Sequence, residues 1–412
     1  LRNYANVIYI KRGALFFCIL INMKDSTTCH TVIIGAGAAG LMCAGSFNAD
    51  KIVIEHNARP GAKLAVSGGG KCNFTNQTVT AAHYQSQSKH FCKNALAAYK
   101  NTDFLHLLES AAIPYTQMPS GQYFAQNAQE IVAFLVRRAQ EASSRIWLNT
   151  QALKVERTST GFTVRTSRGT VQAGRVVLAS GGLSYPALGA GNFGFKTARE
   201  MGLTIVEPRP ALVGLVLPKA LRLQTVHLAG NSLPVAVKVG KFSTQGSLLF
   251  THEGISGPAV LQASLFWQGE PVEINFLPQV NAAEFLRTHK NINKPFSALL
   301  ADKISPKIAK TLLGELDVCA ANATHAQLLN AAERLNRFSV IPAHTAGLTK
   351  AEVTAGGVDV RQINPSTLEC RQIPGLYIIG ELLDVTGLVG GYNLQWAWSS
   401  GFCAAQALKN TF

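Results

Sequence analysis

Three glycines in the run Gly35-Ala36-Gly37-Ala38-Ala39-Gly40 have the G-x-G-x-x-G spacing of a phosphate cradle. In such a turn the first glycine permits the bend and the second lets backbone approach a pyrophosphate. The third lets helix and strand pack closely. The phosphates then meet the free N–H groups and positive dipole end of the following helix. The spacing alone is weak, but its context is specific. An apolar run from Thr31 to Gly35 precedes it, helix-like residues from Ala38 to Phe47 follow, and a second apolar run, Lys51 to Glu55, ends in an acid. A carboxylate at Glu55 would accept hydrogen bonds from ribose hydroxyls and repel a 2′-phosphate. Strand, turn, helix and strand in this order make a dinucleotide-binding unit.

Two further glycine-rich stretches carry polar groups. In Ser67-Gly68-Gly69-Gly70-Lys71-Cys72-Asn73 the glycines let backbone approach a ligand, Lys71 can neutralise phosphate, and Asn73 offers both donor and acceptor. Cys72 has no cysteine nearby and reads as a structural thiol. Near the C-terminus, a strand-like run ends in Gly380-Glu381, and Gly387 to Asn393 leads into a helix over Asn393–Leu408. The N–H groups of Tyr392, Asn393 and Leu394 are suited to stabilise negative charge at N1 and the C2 carbonyl of a reduced flavin. Trp396 and Trp398 are two residues apart on that helix, so they fall on different faces and read as core. A second G-x-G-x-x-G, at Gly189, Gly191 and Gly194, follows Ser184-Tyr185-Pro186 rather than a strand. No strand ending in a carboxylate comes after it, so it reads as a loop. The sequence therefore offers no second domain for a nicotinamide, and no residue declares itself a catalytic acid.

The elements that must position these residues follow from periodicity. A helix is expected over Glu130–Ser143, a β-meander from Ile146 to Leu178 that ends at Ser180-Gly181-Gly182, and a final strand over Leu376–Ile379. From Pro208 and Pro210 the composition changes: short strands over 212–277 with one helix, Pro258–Trp267, then several helices over 281–335. The simplest organisation is a nucleotide-binding domain in two pieces, 24–205 and 345–412, with 206–344 inserted between them. The insert lacks the cofactor signatures and is expected to cover the isoalloxazine and shape substrate choice.

The chain has 412 residues, is 47% hydrophobic and 15% charged, and carries a net charge of +15 with a pI near 9.6. The basic excess forms no long block and reads mainly as a solvated surface; RNA is a possible partner but not the favoured one. Eight cysteines, at 18, 29, 43, 72, 92, 319, 370 and 403, show neither C-x-x-C nor zinc-ligand spacing. That pattern points to reduced thiols and a cytoplasmic protein, with no metal. Lys11-Arg12 and the apolar run Ala14 to Ile21 resemble a signal core, but the run is too short to span a bilayer. Met23 lies just before the first strand, so residues 1–23 read as an extension from a start assigned too early, and removal of 1–22 is expected to leave fold and flavin binding intact.

Taken in order, GAGAAGLM, SGGGKCNFTN, SGGLSYPALGAGNFG, THEGISGPAVLQAS, VTAGGVDV and GLYIIGELLDVTGLVGGYNLQWAWSSG closely resemble the bacterial flavoprotein family of 3-dehydro-bile-acid delta-4,6-reductase-like and aminoacetone-oxidase-like proteins, over roughly 30–412. The resemblance implies an α/β fold: an FAD-binding Rossmann-like domain of glutathione-reductase type, discontinuous in sequence, with an inserted β-barrel and a small helical subdomain. It implies noncovalent FAD, with NAD(P)H a possible external reductant. Gly35 to Gly40 and Glu55 would hold the ADP half, and Lys71, Cys72 and Asn73 would lie near the pyrophosphate or flavin. Gly380, Glu381 and Asp384 would hold the ribityl and phosphate region, and Gly391, Tyr392, Asn393 and Leu394 the isoalloxazine. Lys63, Gly70, Val155 and Gly181 are expected on the same site. The family usually has a Ser/Thr and an Asp, roughly GSTGDG, where this chain reads GAGNFG, which puts contacts from that loop in doubt. The expected activity is hydride transfer through flavin N5 to or from a small molecule, a conjugated ketone or an amine. The alternatives are a flavin-dependent tRNA-modifying enzyme and a flavin-bound sensor without turnover.

Overall fold

The computed structural model describes residues 26–410. The expectation for residues 1–23 falls outside them.

Strand β1 (Ser26–Ile34) runs through the Gly-rich turn into helix α1 (Ala38–Ala44), and strand β2 (Lys51–Ile54) returns beside β1 in parallel. Both strands are buried along their lengths beyond His30, as expected of a parallel sheet covered on two faces. Lys51 is the exception in type. Its ammonium is buried and donates to the carbonyls of Phe47, Ala49 and Ala142, while burial pushes its pKa down to about 8. A short helix, α2 (Ala62–Val66), follows. The amphipathic helix α3 (Ala128–Glu141) starts at Asn127, whose side chain accepts from Gln129 N, and leads into strand β3 (Ser144–Trp147) beside β2. The meander then supplies β4 (Ala152–Arg157), β5 (Phe162–Thr166) and β6 (Gly169–Leu178).

β6 is the pivot of this seven-stranded sheet. One edge pairs with β1 in parallel. The other edge pairs with β5 over its first half and with a strand from the far end of the chain over its second half. The chain leaves along β7 (Ile205–Ala211) and comes back along β8 (Val353–Val358), and these two pair as an antiparallel ribbon. The boundary read at 206 therefore lies inside this ribbon. Strand β9 (Leu376–Ile378) completes the second edge of β6, and helix α4 (Tyr392–Lys409) closes the domain against α1. Close approach there depends on Gly401, where a Cβ would lie 2.6 Å from Ala39 O.

Between Leu215 and Thr345 the chain forms a second seven-stranded sheet, whose antiparallel pairings give a single path. Its end strands, Phe338–Val340 and His344–Thr345, are not paired with each other among the described residues. Closure into a barrel is thus not among the pairings. Helices of 282–336 pack on this sheet in a core separate from that of the first domain. A small apolar cluster of Ala211, Leu212, Leu265, Val353 and Ala355 joins the two. Among the described residues no helix is long and apolar enough to cross a membrane.

Candidate cofactor and active site

A cavity of about 730 Å³ opens where the C-terminal ends of the parallel strands meet. This is where open α/β sheets bind ligands. The Gly-rich turn forms one end. Gly35 has φ 112°, and a Cβ there would lie 2.4 Å from Ala179 O; a Cβ on Gly40 would lie 1.9 Å from Gly35 O. Gly37 has no protein atom within 4 Å of its would-be Cβ, so its open side is where a ligand can approach. The three glycines thus divide the roles read from their spacing. Ala36, between them, donates its N–H to Glu55 Oε2 at 2.9 Å, and Asn57 N donates to Oε1 at 2.9 Å. These bonds fix the buried Glu55 carboxylate on the cavity wall and leave lone pairs on both oxygens for further donors.

Most of the expected cofactor residues gather here: Gly35, Gly37, Ala38, Ala39, Glu55, Lys63, Asn73, Gly181, Gly380, Glu381, Gly391, Asn393 and Leu394 line the cavity. Others do not. Gly40 and Ala36 act by packing and by orienting Glu55. Gly68, Gly69, Gly70 and Cys72 all have positive φ, and this tight loop turns Lys71 out to solvent. Cys72 is fully buried, and burial pushes its thiol up to about 12. Val155 packs in the sheet interior on β4, and the wall expected of it is formed by Thr150, Gln151 and Ala152 just before and at the start of that strand. Asp384 is buried off the cavity, where it accepts from Gln87 N at 2.9 Å. Burial raises its pKa. Tyr392 stacks on His83 at 4.5 Å, and its carbonyl accepts from Tyr84 Oη. Trp396 and Trp398 are buried, donating to Gly380 O and Phe74 O, and Trp396 alone of the two reaches the cavity wall.

Lys63 is the cation at the centre of the wall. Its Nζ donates to Glu381 Oε2 at 2.7 Å, Glu381 Oε1 at 3.0 Å and Ser184 Oγ at 2.7 Å. Thr354 N donates to Glu381 Oε1, and the Thr354 hydroxyl accepts from Leu183 N and Ser184 N. This network ties α2 and β8 to the Gly380 turn. Glu352, just before β8, lines the same wall, and desolvation there raises its pKa. The loop carrying Gly189 and Gly191 is also on the wall, against His56 and Asn57, with Asn57 Nδ2 donating to Leu188 O at 3.0 Å. This second glycine pattern thus lies on the cavity of the first one. From the insert come Leu212 and Pro258, on a wall that also holds Leu388 and Val389.

At the opposite end, Gly391 caps α4 with φ 90°, and Gln395 N→Gly391 O at 3.0 Å is the first intrahelical bond, so the N–H groups of Tyr392, Asn393 and Leu394 precede it. The side chain of Asn393 is committed to this turn, accepting from Gly387 N at 2.8 Å and donating to Gly387 O at 2.9 Å. Two buried oxygens on the cavity wall, Asn73 Oδ1 and Ser180 Oγ, have no protein partner. Buried polar atoms are ordinarily paired. Together with the open sides of Gly37, Gly69 and Gly181, they fit an elongated polar ligand reaching from Glu55 to Gly391, as a dinucleotide flavin would.

Comparison with known proteins agrees. The chain is 41% identical over 388 residues to the ribosomal RNA dihydrouridine synthase of Escherichia coli K12, covering 92% of this chain and 97% of that protein. It is 28% identical over 401 residues to the 3-dehydro-bile acid delta(4,6)-reductase of Clostridium scindens, covering 91% and 98%. The likeness read from the sequence motifs is therefore real but the more distant of these two. Among solved structures, a quinol-fumarate reductase with menaquinol superposes with a TM-score of 0.51 at 13% identity, over 94% of this chain and 71% of that one, which shows shared fold. The fold is a Rossmann-type FAD-binding α/β fold of the flavoprotein oxidoreductases. The chain belongs to the HI0933-like protein Rossmann domain family, whose model matches residues 29–407.

Proposed function

We propose that this chain is an FAD-dependent reductase that saturates the C5=C6 bond of a uridine in ribosomal RNA. The observation that carries the reading is 41% identity, over nearly the whole of both chains, to a protein named for that activity. The chemistry is of the class expected from the sequence. The uracil C5=C6 bond is conjugated with the C4 carbonyl, so it is an activated alkene that takes a hydride at one carbon and a proton at the other. When bound, FAD supplies the hydride, and NAD(P)H is the external reductant in this reading.

The protein's part is placement and charge. Glu55 would hold the adenosine ribose, and the Gly35–Gly40 turn and the start of α1 would receive the pyrophosphate. Asn73 and the start of α4 would hold the ring, and the helix N–H groups would favour negative charge there. The Lys63–Glu381 pair braces the middle of the wall. Leu212, Pro258, Leu388 and Val389 exclude water beside the ring. A stacked base cannot reach such a cavity, so the target uridine must be unpaired or flipped out. The net charge of +15 suits a polyanionic substrate and makes binding fall with salt.

Ribosomal RNA from a strain lacking this gene, incubated with the FAD-loaded protein and NADPH or NADH, should gain dihydrouridine, read as a two-hydrogen mass increase in one digestion fragment. No gain, with ready reduction of small cyclic enones instead, would replace this reading with the small-molecule one.

A further inference from the structure

We propose that Tyr185 is the proton donor that completes reduction of the substrate's C=C bond, an inference that rests on the reading above. Four observations carry it. Tyr185 lines the cavity. It is held at φ 62°, ψ 58°, a left-handed conformation that is unfavourable for a non-glycine residue and doubly so before a proline. Its surroundings enforce this. Ser184 N donates to the Thr354 hydroxyl at 3.1 Å, Tyr185 N donates to Leu348 O, and Leu188 N donates to Tyr185 O at 2.9 Å. Backbone strain of this kind collects at functional sites. Finally, the phenol makes no hydrogen bond with any described residue, so its O–H is available to a ligand.

Three of the other ionisable groups on the wall are occupied. Lys63 is spent on Glu381 and Ser184, Glu381 on Lys63 and Thr354, and Glu55 on two backbone amides at the adenosine end. His56 lies beside Glu55 at the adenosine end. Glu352 shares the freedom of Tyr185, and so does the Ser180 hydroxyl, which is a far weaker acid than a phenol. Burial and the nearby Glu352 both raise the phenol's pKa, so it keeps its proton at neutral pH. The Lys63 ammonium lies over the face of the phenol ring, 5.8 Å from its centroid.

The step balances. One carbon of the C=C bond accepts a hydride from reduced FAD. The phenol O–H bond breaks and its proton goes to the other carbon, and water returns a proton to the phenolate. A nicotinamide or another two-electron donor restores the reduced cofactor.

The test compares wild type, Tyr185→Phe and Glu352→Gln as FAD-loaded proteins. Four quantities are measured: flavin content, affinity of the oxidised protein for a uridine-containing RNA hairpin by anisotropy, rate of flavin reduction by NADPH, and anaerobic reoxidation by the hairpin or by 2-cyclohexen-1-one. Tyr185→Phe should match wild type within about twofold in the first three and lose on the order of 10²–10⁴-fold in reoxidation. Reoxidation at the wild-type rate, or a loss found in Glu352→Gln and not in Tyr185→Phe, overturns the proposal. If wild type is reoxidised by the enone and not by the hairpin, the RNA reading fails and Tyr185 is judged on the enone arm. If neither acceptor works, both fall.

Discussion

At the scale of single residues, the three glycines of the first turn can be separated by experiment. A Cβ on Gly37 meets nothing within 4 Å, whereas one on Gly40 would sit 1.9 Å from Gly35 O. Gly37→Ala should therefore leave the Tm of the flavin-free protein within about a degree and sharply reduce bound FAD. Gly40→Ala should lower the Tm itself, since backbone must move to admit the methyl. Equal effects of the two on Tm would remove the distinction between ligand side and packing side. This pair was legible in the sequence because the motif's spacing encodes local backbone geometry. The same holds for Glu55, twenty residues on, which arrives where the strand spacing puts it. Lys71 was misread for a reason that spacing cannot reveal: four positive-φ residues around it turn the side chain outward. Lys63 takes the central place through partners as far as 318 positions away in sequence. Tyr185 was passed over as part of a loop because the contact enforcing its conformation comes from Thr354, 170 positions from Ser184.

At the scale of elements, the start of α4 makes the sharpest claim. A Cβ on Gly391 would lie 2.5 Å from Thr75 O and 2.8 Å from Asn73 Oδ1 at a φ of 90°, so any side chain there must displace the turn. Gly391→Val should move the helix N–H groups away from the ring. A helix terminus contributes about 0.3–2 kcal/mol toward a nearby negative charge. At roughly 30 mV per 1.4 kcal/mol for two electrons, the flavin midpoint potential should fall by about 5–45 mV, or FAD retention should weaken. A dye-coupled reductive titration at matched flavin occupancy decides it; unchanged potential with unchanged retention would remove α4 from the flavin site. Most elements were legible: α3, the insert helix over Pro258–Phe266 and α4 lie within a few residues of their expected spans. The start of β1 at Ser26 was not, because its first residues, Ser26 to Thr28, are polar and take part in the sheet by pairing with Thr170–Gln172 of β6, a long-range contact that hydrophobic patterning does not report. Val155 was misplaced by three residues along β4, enough to turn a cavity position into a core one.

At the scale of the whole molecule, the two cores predict two behaviours. The residues of the second sheet and its helices are contiguous and pack on one another, while the first core draws on residues from Cys29 to Leu408. A chain ended at Pro374 lacks β9, the Gly380 turn and α4. It should hold no flavin, yet limited trypsinolysis should still leave a resistant fragment from the 215–345 region. Complete digestion of that region would mean the second core needs the first. The second core lies within the stretch where the composition changes after Pro208, while the first draws on residues on both sides of it. The ribbon of β7 and β8 that joins them was not legible, because two prolines and two charges interrupt β7, Thr354 and two glycines interrupt β8, and each strand is defined by its partner. The same arrangement sets an order in time. Ribosomes extend a chain from its N-terminus at about 5–20 residues per second, and β6 waits for β9, nearly two hundred residues later in synthesis, to fill its open edge. The Gly35–Gly40 turn is synthesised about 350 residues before the Gly391 turn. In the proposed reading, flavin capture therefore waits for the later turn, and until then the insert hangs from an unfinished sheet.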